Sequence, residues 1–209
     1  QALDAAQASQ RAGLPLTQAA WLFAAGGWAD PRVLVREALA TPGVTWRGHA
    51  HAHSIEHSAD GWLVRSSDAR VIGQAPVVVL ANADDALRLA GLPPAWAERV
   101  RGQVTWLAAH DSNLAPQLPI ASGGYVLALP NGGGLLIGAT SQPADDEAQA
   151  READHAINLE RARQLLGVDV SRAGALLHGR VGWRVVTRDR LPMIGMAPDL
   201  AAPLPVRRD

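Results

Sequence analysis

The chain has 209 residues, with 19 basic side chains against 20 acidic ones and a net charge of −1, so no bulk electrostatic pull toward nucleic acid is expected. It contains no Cys, which excludes disulfides, Cys-ligated metals and thiolate nucleophiles. Every basic residue is Arg, which excludes a phosphate-loop lysine, a Schiff-base lysine and a Ser–Lys dyad, and no apolar run has the length of a bilayer crossing or of a signal peptide at the start.

The first twenty residues are rich in Ala and Gln and predict a helix ending near Gly13-Leu14-Pro15. Asp30-Pro31 predicts a second helix start, an acceptor followed by a residue with preset φ and no amide to orphan. Leu34, Ala38 and Leu39 give that helix an apolar side, and Pro42-Gly43 stops it. Trp46, Gly48, Ala50, Ala52 and Ile55 suit an extended segment; Ala59-Asp60-Gly61 is a turn, and Trp62-Leu63-Val64 begins a returning strand. The unbroken run Pro76-Val77-Val78-Val79-Leu80-Ala81-Asn82 predicts a strand buried on both faces of a parallel sheet.

From Arg99 to Ala108, Val100, Gly102, Val104 and Trp106 alternate as in a half-exposed antiparallel strand. Tyr125 to Leu129 and Leu135 to Thr140 read as a hairpin closed through Asn131-Gly132-Gly133-Gly134. A helix opens at Asp145-Asp146-Glu147, runs to Leu166 and ends at Gly167, its charges matching the helix dipole. Gly179 to Thr187 is the last strong element. The pattern is mixed α/β, an α+β chain with much antiparallel sheet and no internal repeat.

Few side chains carry chemistry unambiguously. His49, His51 and His53 alternate along one extended segment and could contribute to a zinc or copper site, but only Glu56 lies near them, so no metal site is expected. The glycines at 132–134 lack phosphate-loop spacing and suit a hairpin loop. Seven Trp residues could stack on bases, but they are spread from 21 to 183, and packing in core and sheet is the expectation. No nucleophile elbow and no paired-histidine zinc motif occurs. Between Arg172 and Arg190 stand five Arg and one Asp, a local excess of four positive charges. Arg184 sits within Val181-Gly182-Trp183-Arg184-Val185-Val186, where a charge needs either an ion-pair partner or a ligand; a guanidinium fork suits bidentate capture of a carboxylate.

Gly182-Trp183-Arg184 followed by Thr187-Arg188-Asp189-Arg190-Leu191-Pro192-Met193-Ile194-Gly195 resembles the late strand and loop of FAD-dependent amine oxidases related to glycine oxidase and D-amino-acid oxidase. The form is most similar to the oxidoreductase module of bifunctional tRNA methylaminomethyl-thiouridine biosynthesis proteins. Gly26-Gly27-Trp28, Val77 to Asn82, Arg101-Gly102-Gln103-Val104, and Gly124-Tyr125 with Gly138-Ala139-Thr140 resemble further landmarks of that family in the same order.

The resemblance implies pieces of an FAD-binding, Rossmann-like domain at about 22–82 and a substrate-binding sheet and helix at about 99–187. It also implies an interior fragment, without the family's Gly-rich dinucleotide motif or its closing C-terminal segment, and inactive alone. The implied cofactor is FAD, approached by Ala52, Ala81, Asn82 and Gly195; the implied substrate site is Arg184 and Tyr125 on a carboxylate, with Ser141 lining the pocket and no acid–base residue of the protein. The implied reaction is oxidative removal of the carboxymethyl group from a wobble uridine of tRNA as glyoxylate, in the cytoplasm. A small-molecule amine oxidase and a non-catalytic binding module are the alternatives. The implied partners are tRNA and the FAD-binding remainder of the same polypeptide.

Overall fold

The computed structural model describes residues 1–198. They form two compact units, one built from Gln1–Ala38 and Val100–Trp183, the other from Leu39–Arg99 and the described residues from Arg184 onward.

The first unit opens with β1 (Ala2–Leu3), paired antiparallel with β2 (Ala20–Trp21), and with α1 (Ala5–Ala12) between them. The helix ends at Gly13, as predicted, and begins at Ala5, its two ends set by caps. Gln7 N–H donates to Asp4 Oδ1 at 2.8 Å and Asp4 N–H donates to Gln7 Oε1 at 3.1 Å. These reciprocal bonds satisfy orphan donors at the start. Gly13 at φ 68° ends the helix in the left-handed conformation open to glycine. Next comes α2 (Pro31–Leu39), started as expected by Asp30, whose Oδ1 accepts from Arg32 N–H at 2.9 Å. The Arg32 guanidinium holds the Asp30 carboxyl down at about 2. No residue of α2 is buried, and Val33, Leu34 and Val35 are exposed.

In the second unit, β3 (Ser54–Ser58), β4 (Gly61–Arg65) and β5 (Val71–Ala75) form an antiparallel meander. Gly61 at φ 112° makes the tight return; a Cβ there would lie 2.5 Å from the Ala75 carbonyl oxygen. The residues at 44–53 are irregular rather than extended in a sheet. The strand predicted at 76–82 is corrected as well: pairing ends at Ala75, because Pro76 has no amide to give, and Val77–Leu80 runs on outside any strand. Val77 and Val79 are 72% and 82% exposed, so a run that reads as fully buried lacks its neighbours among the described residues. The unit then forms a short helix, α3 (Asp85–Leu89).

The larger sheet contains β6 (Ala97–Leu107), β7 (Ile120–Ala121), β8 (Tyr125–Ala128), β9 (Leu135–Gly138), β10 (Gln142–Pro143) and β11 (Leu177–Thr187). Its order is β10-β6-β9-β8-β7, with β11 also paired to β6. The hairpin β8–β9 is as predicted, with Ala128 opposite Leu135 and a loop in which Asn131 takes φ 55°. One face of the sheet meets α4 (Glu152–Leu166): Leu107, Val126, Leu135 and Ile137 pack into a core with Ala162, Leu166 and Val170, to which Ala12 and Leu14 add. Burial of these side chains is the main favourable term holding the unit together.

The face of β6 turned inward is not the one that alternation predicts. Arg101, Gln103 and Thr105 are fully buried beside Leu107, whereas Gly102, Val104 and Trp106 are half-buried. The polar side chains are tolerated because α4 and Arg151, just before it, bring partners to each: Gln103 Nε2 donates to the Arg151 carbonyl at 2.9 Å and its Oε1 accepts from Arg151 N–H at 2.8 Å. Arg101 Nη1 donates to Asp154 Oδ2 at 2.7 Å and Thr105 Oγ1 lies 2.8 Å from His155 Nδ1. Asn158 Nδ2 donates to the Gln103 carbonyl at 2.9 Å. Burying such groups without partners would cost several kcal/mol each, about 2 or more.

The same guanidinium explains why α4 begins at Glu152 and not at Asp145. The carbonyls of Glu147 and Gln149 accept from Arg101 at 2.6 and 2.7 Å, and both oxygens of Asp145 accept from Arg151 at 2.6 and 2.8 Å. Residues 145–151 are thereby held as a loop. Gly167 closes the helix at φ 75°, as predicted. The tryptophans correct the expectation of core packing: none is buried, Trp21, Trp28 and Trp46 are exposed, and Trp106 and Trp183 cap the carbonyls of Gly133 and Asp145.

Candidate active site

Tyr125 is the first residue of β8 and stands directly opposite Gly138 of β9. A Cβ placed on Gly138 would lie 2.5 Å from both Cζ and Oη of Tyr125. The phenol therefore crosses the neighbouring strand at the one position where that strand has no side chain. Beyond Gly138 the chain leaves the sheet through Ala139, Thr140 and Ser141. Thr140 is buried; its N–H donates to the Gln103 carbonyl at 3.1 Å, and its Oγ1 accepts from Gln103 N–H at 2.9 Å. Arg161 of α4 donates from Nη1 to the Ala139 carbonyl at 2.7 Å. Ser141 follows this anchored turn and is exposed. One hairpin and its exit thus carry two of the three residues expected on the substrate.

Arg184 belongs to β11, where His178, Arg180, Gly182 and Arg184 are exposed while Val181, Trp183 and Val185 are half-buried. The expectation of a charge sunk in an apolar strand is corrected. The strand is amphipathic, and its polar face carries Arg184 at the surface.

The residues expected near a cofactor are gathered by an ion pair that the sequence did not signal. Arg88 of α3 donates to the carbonyls of Ala52 and His53 at 3.2 and 2.6 Å, and to Asp85 at 2.6 and 3.0 Å. Asp85 Oδ2 accepts in turn from Asn82 Nδ2 at 3.1 Å. Ala52 and Asn82, thirty residues apart in the chain, are tied to one Asp85–Arg88 pair, and Ala81 is the residue before Asn82. The Arg88 guanidinium lowers the Asp85 carboxyl below its ordinary range. The only hint in the sequence was the Asp-x-x-Arg spacing, which is common on helices. Gly195 lies in the irregular stretch after β11, with open space where a Cβ would stand. A cleft of about 310 Å³ in the same unit is lined by Arg47, Trp62, Val64, Ile72 and Val77, and none of the expected site residues borders it.

His49, His51 and His53 lie in irregular backbone, and among the described residues no group of three or more His, Asp or Glu side chains could hold a metal ion. Among the same residues no helix is long and apolar enough to cross a membrane.

The family model described as "FAD dependent oxidoreductase" matches residues 1–204. The chain belongs to this family. It is 46% identical over 208 residues to the "tRNA 5-methylaminomethyl-2-thiouridine biosynthesis bifunctional protein MnmC" of Methylibium petroleiphilum, covering 96% of this chain and 32% of that protein. It is 39% identical over 204 residues to the protein of the same name from Paraburkholderia xenovorans, covering 94% and 31%. The chain thus spans about a third of the length of the curated relatives it matches. The crystal structure of glycine oxidase from Geobacillus kaustophilus superposes with a TM-score of 0.74 at 22% identity, over 96% of this chain and 55% of that one. That likeness establishes the fold, a mixed α/β architecture rich in antiparallel sheet.

Proposed function

We propose that this chain is the substrate-binding half, with part of the cofactor-binding half, of an FAD-dependent oxidoreductase that removes the carboxymethyl group of carboxymethylaminomethyl-uridine in tRNA. The observation that carries the reading is the family match over residues 1–204 together with relatives named for tRNA 5-methylaminomethyl-2-thiouridine biosynthesis at 39–46% identity.

The residues present fit a flavin dinucleotide. Ala52 and Ala81 have small side chains, which permit close approach of a ligand to the main chain, and Arg88, bonded to the carbonyls of Ala52 and His53, fixes the backbone at 52–53. Ala52, Ala81, Asn82 and Gly195 would hold the cofactor. FAD, when bound, supplies the two-electron acceptor for oxidation of the secondary amine. The carbon–hydrogen bond beside the substrate nitrogen breaks, the product imine takes up water, and it splits into aminomethyl-uridine and glyoxylate.

The protein's part is binding and orientation. Arg184 presents a two-pronged donor suited to a substrate carboxylate, Tyr125 presents a hydroxyl donor, and Ser141 is the further substrate residue that the family resemblance implies. No side chain of this chain need exchange a proton with the reacting carbon. The FAD-binding remainder and tRNA are the partners, and the setting is cytoplasmic.

The test uses the full gene product that contains this chain. It is incubated with tRNA bearing carboxymethylaminomethyl-uridine, and nucleosides are separated by mass while glyoxylate is trapped. Conversion to aminomethyl-uridine with one glyoxylate per uridine is expected. Peroxide from free glycine or sarcosine, with the tRNA untouched, would replace this reading by the small-molecule oxidase.

A further inference from the structure

We infer that Arg161 is a positioning residue that sets the place of Tyr125; the inference rests on the reading above only for its kinetic consequence. Tyr125 is held between two glycine positions. Gly124 precedes it, and Gly138 faces it across the hairpin. Arg161 reaches both from α4. A Cβ on Gly124 would meet the Gly138 carbonyl oxygen at 2.9 Å, with the Arg161 stem beside it at ordinary contact distance, Cβ at 3.6 Å and Cδ at 3.7 Å. Arg161 Nη1 donates to the carbonyl of Ala139, immediately after Gly138, at 2.7 Å. One side chain thus touches the strand entering at Tyr125 and the strand leaving opposite it.

The helix behind Arg161 is itself fixed. Asn158, one turn earlier, is fully buried and donates to the Gln103 carbonyl and Thr105 Oγ1. Asp154, a further turn back, holds the buried Arg101. Hairpin and helix are therefore joined by a charge-assisted hydrogen bond in half-buried surroundings, a stronger tie than a neutral bond. Nothing else from α4 bonds the turn at 138–140 among the described residues. Removing the Arg161 guanidinium leaves that turn held only at Thr140, by its two bonds to Gln103, so that Gly138 and Ala139 can shift against β8 and Tyr125 Oη, lying across Gly138, shifts with them. Displacements of about 1 Å at such a site are enough to weaken an oriented contact severely.

Tyr125 is the single tyrosine of the chain, which gives a direct readout. The 209-residue chain labelled with 3-fluorotyrosine has one fluorine resonance. Arg161→Ala is expected to shift and broaden it, Arg161→Lys to fall between, and Arg163→Ala, on the same helix but paired with exposed Glu160, to leave it in place. Coincidence of the Arg161→Ala and wild-type resonances overturns the inference. If Arg161→Ala fails to fold, judged by tryptophan emission, the Lys variant decides: a resonance identical to wild type overturns it.

In the full gene product, Arg161→Ala should raise KM for the carboxylate-bearing tRNA roughly 10- to 100-fold with kcat little changed. Combined with Tyr125→Phe it should add less than the sum of the two effects; full additivity overturns the coupling. If the wild-type enzyme leaves this tRNA untouched while Arg161→Ala moves the fluorine resonance, the functional reading fails and the positioning role stands.

Discussion

The buried pair Arg101–Asp154 offers the sharpest test of how the substrate sheet is held. Arg101 is 0% exposed and Asp154 is 1% exposed. Arg101 makes five hydrogen bonds, to Asp154 Oδ2, to the side chains of Gln142 and Gln103, and to the carbonyls of Glu147 and Gln149. Asp154→Ala removes the carboxylate bonded to Arg101 and leaves four neutral acceptors, with Asp145 Oδ1 4.0 Å from Arg101 Nε, around a cation that cannot reach water. Breaking one partner of a buried pair costs about 3–5 kcal/mol. For a chain of this length each kcal/mol lowers Tm by roughly 2–4 °C, so a drop of about 6–20 °C is expected. Removing both charges with Arg101→Met and Asp154→Leu eliminates the orphaned ion but still strips the carbonyls at 147 and 149 of a donor. The double variant should therefore be clearly less destabilised than the two single variants added together. Urea unfolding followed by tryptophan emission on the four proteins decides the matter. An Asp154→Ala variant within about 1 kcal/mol of wild type, or a double variant that merely sums the singles, would falsify the argument.

Further predictions address the hairpin, the loop, the clamp and the cofactor. Gly138→Ala must displace the Tyr125 ring, because the new methyl would sit 2.5 Å from Cζ and Oη; the single fluorotyrosine resonance should move, and an unmoved line refutes the packing. Asp145, held at about 2 chiefly by Arg151, is a depressed carboxylate, so its contribution to stability is full above its ordinary value of 3.8 and is lost as pH falls through about 2. Asp145→Asn should flatten the acid limb of the stability curve in that window, which urea midpoints between pH 5 and 2 will show. Arg184→Ala in the full gene product should raise KM steeply for a carboxylate-bearing substrate, and equal kinetics would remove its clamp role. The 209-residue chain purified alone should carry no stoichiometric flavin, since Val77 and Val79 are exposed and belong to no strand among the described residues. A visible flavin spectrum at one per chain contradicts this.

What could be read without coordinates was local. Gly13 and Gly167 as helix stops, Asp30-Pro31 as a helix start and the hairpin through Asn131 to Gly134 depend on backbone sterics and short-range hydrogen bonds, which a few residues decide by themselves. The ordered landmarks from Gly26 to Gly195 were likewise legible, and with them the family. Long-range partners decided the rest. Alternation in β6 gave two faces but not which one is inner; Asp154, His155 and Asn158, about fifty residues away, made the polar face the buried one. The apolar run at 76–82 has the composition of a buried strand, yet a strand exists only where another backbone answers its amides and carbonyls, and Pro76 ends the pairing. The start of α4 moved to Glu152 because Arg101 and Arg151 claimed the loop before it. Ala52 and Asn82 were linked through the Asp85–Arg88 pair, a contact that no window along the sequence contains. Burial and charge pairing are set by what arrives from elsewhere in the chain, so only the folded structure could assign them.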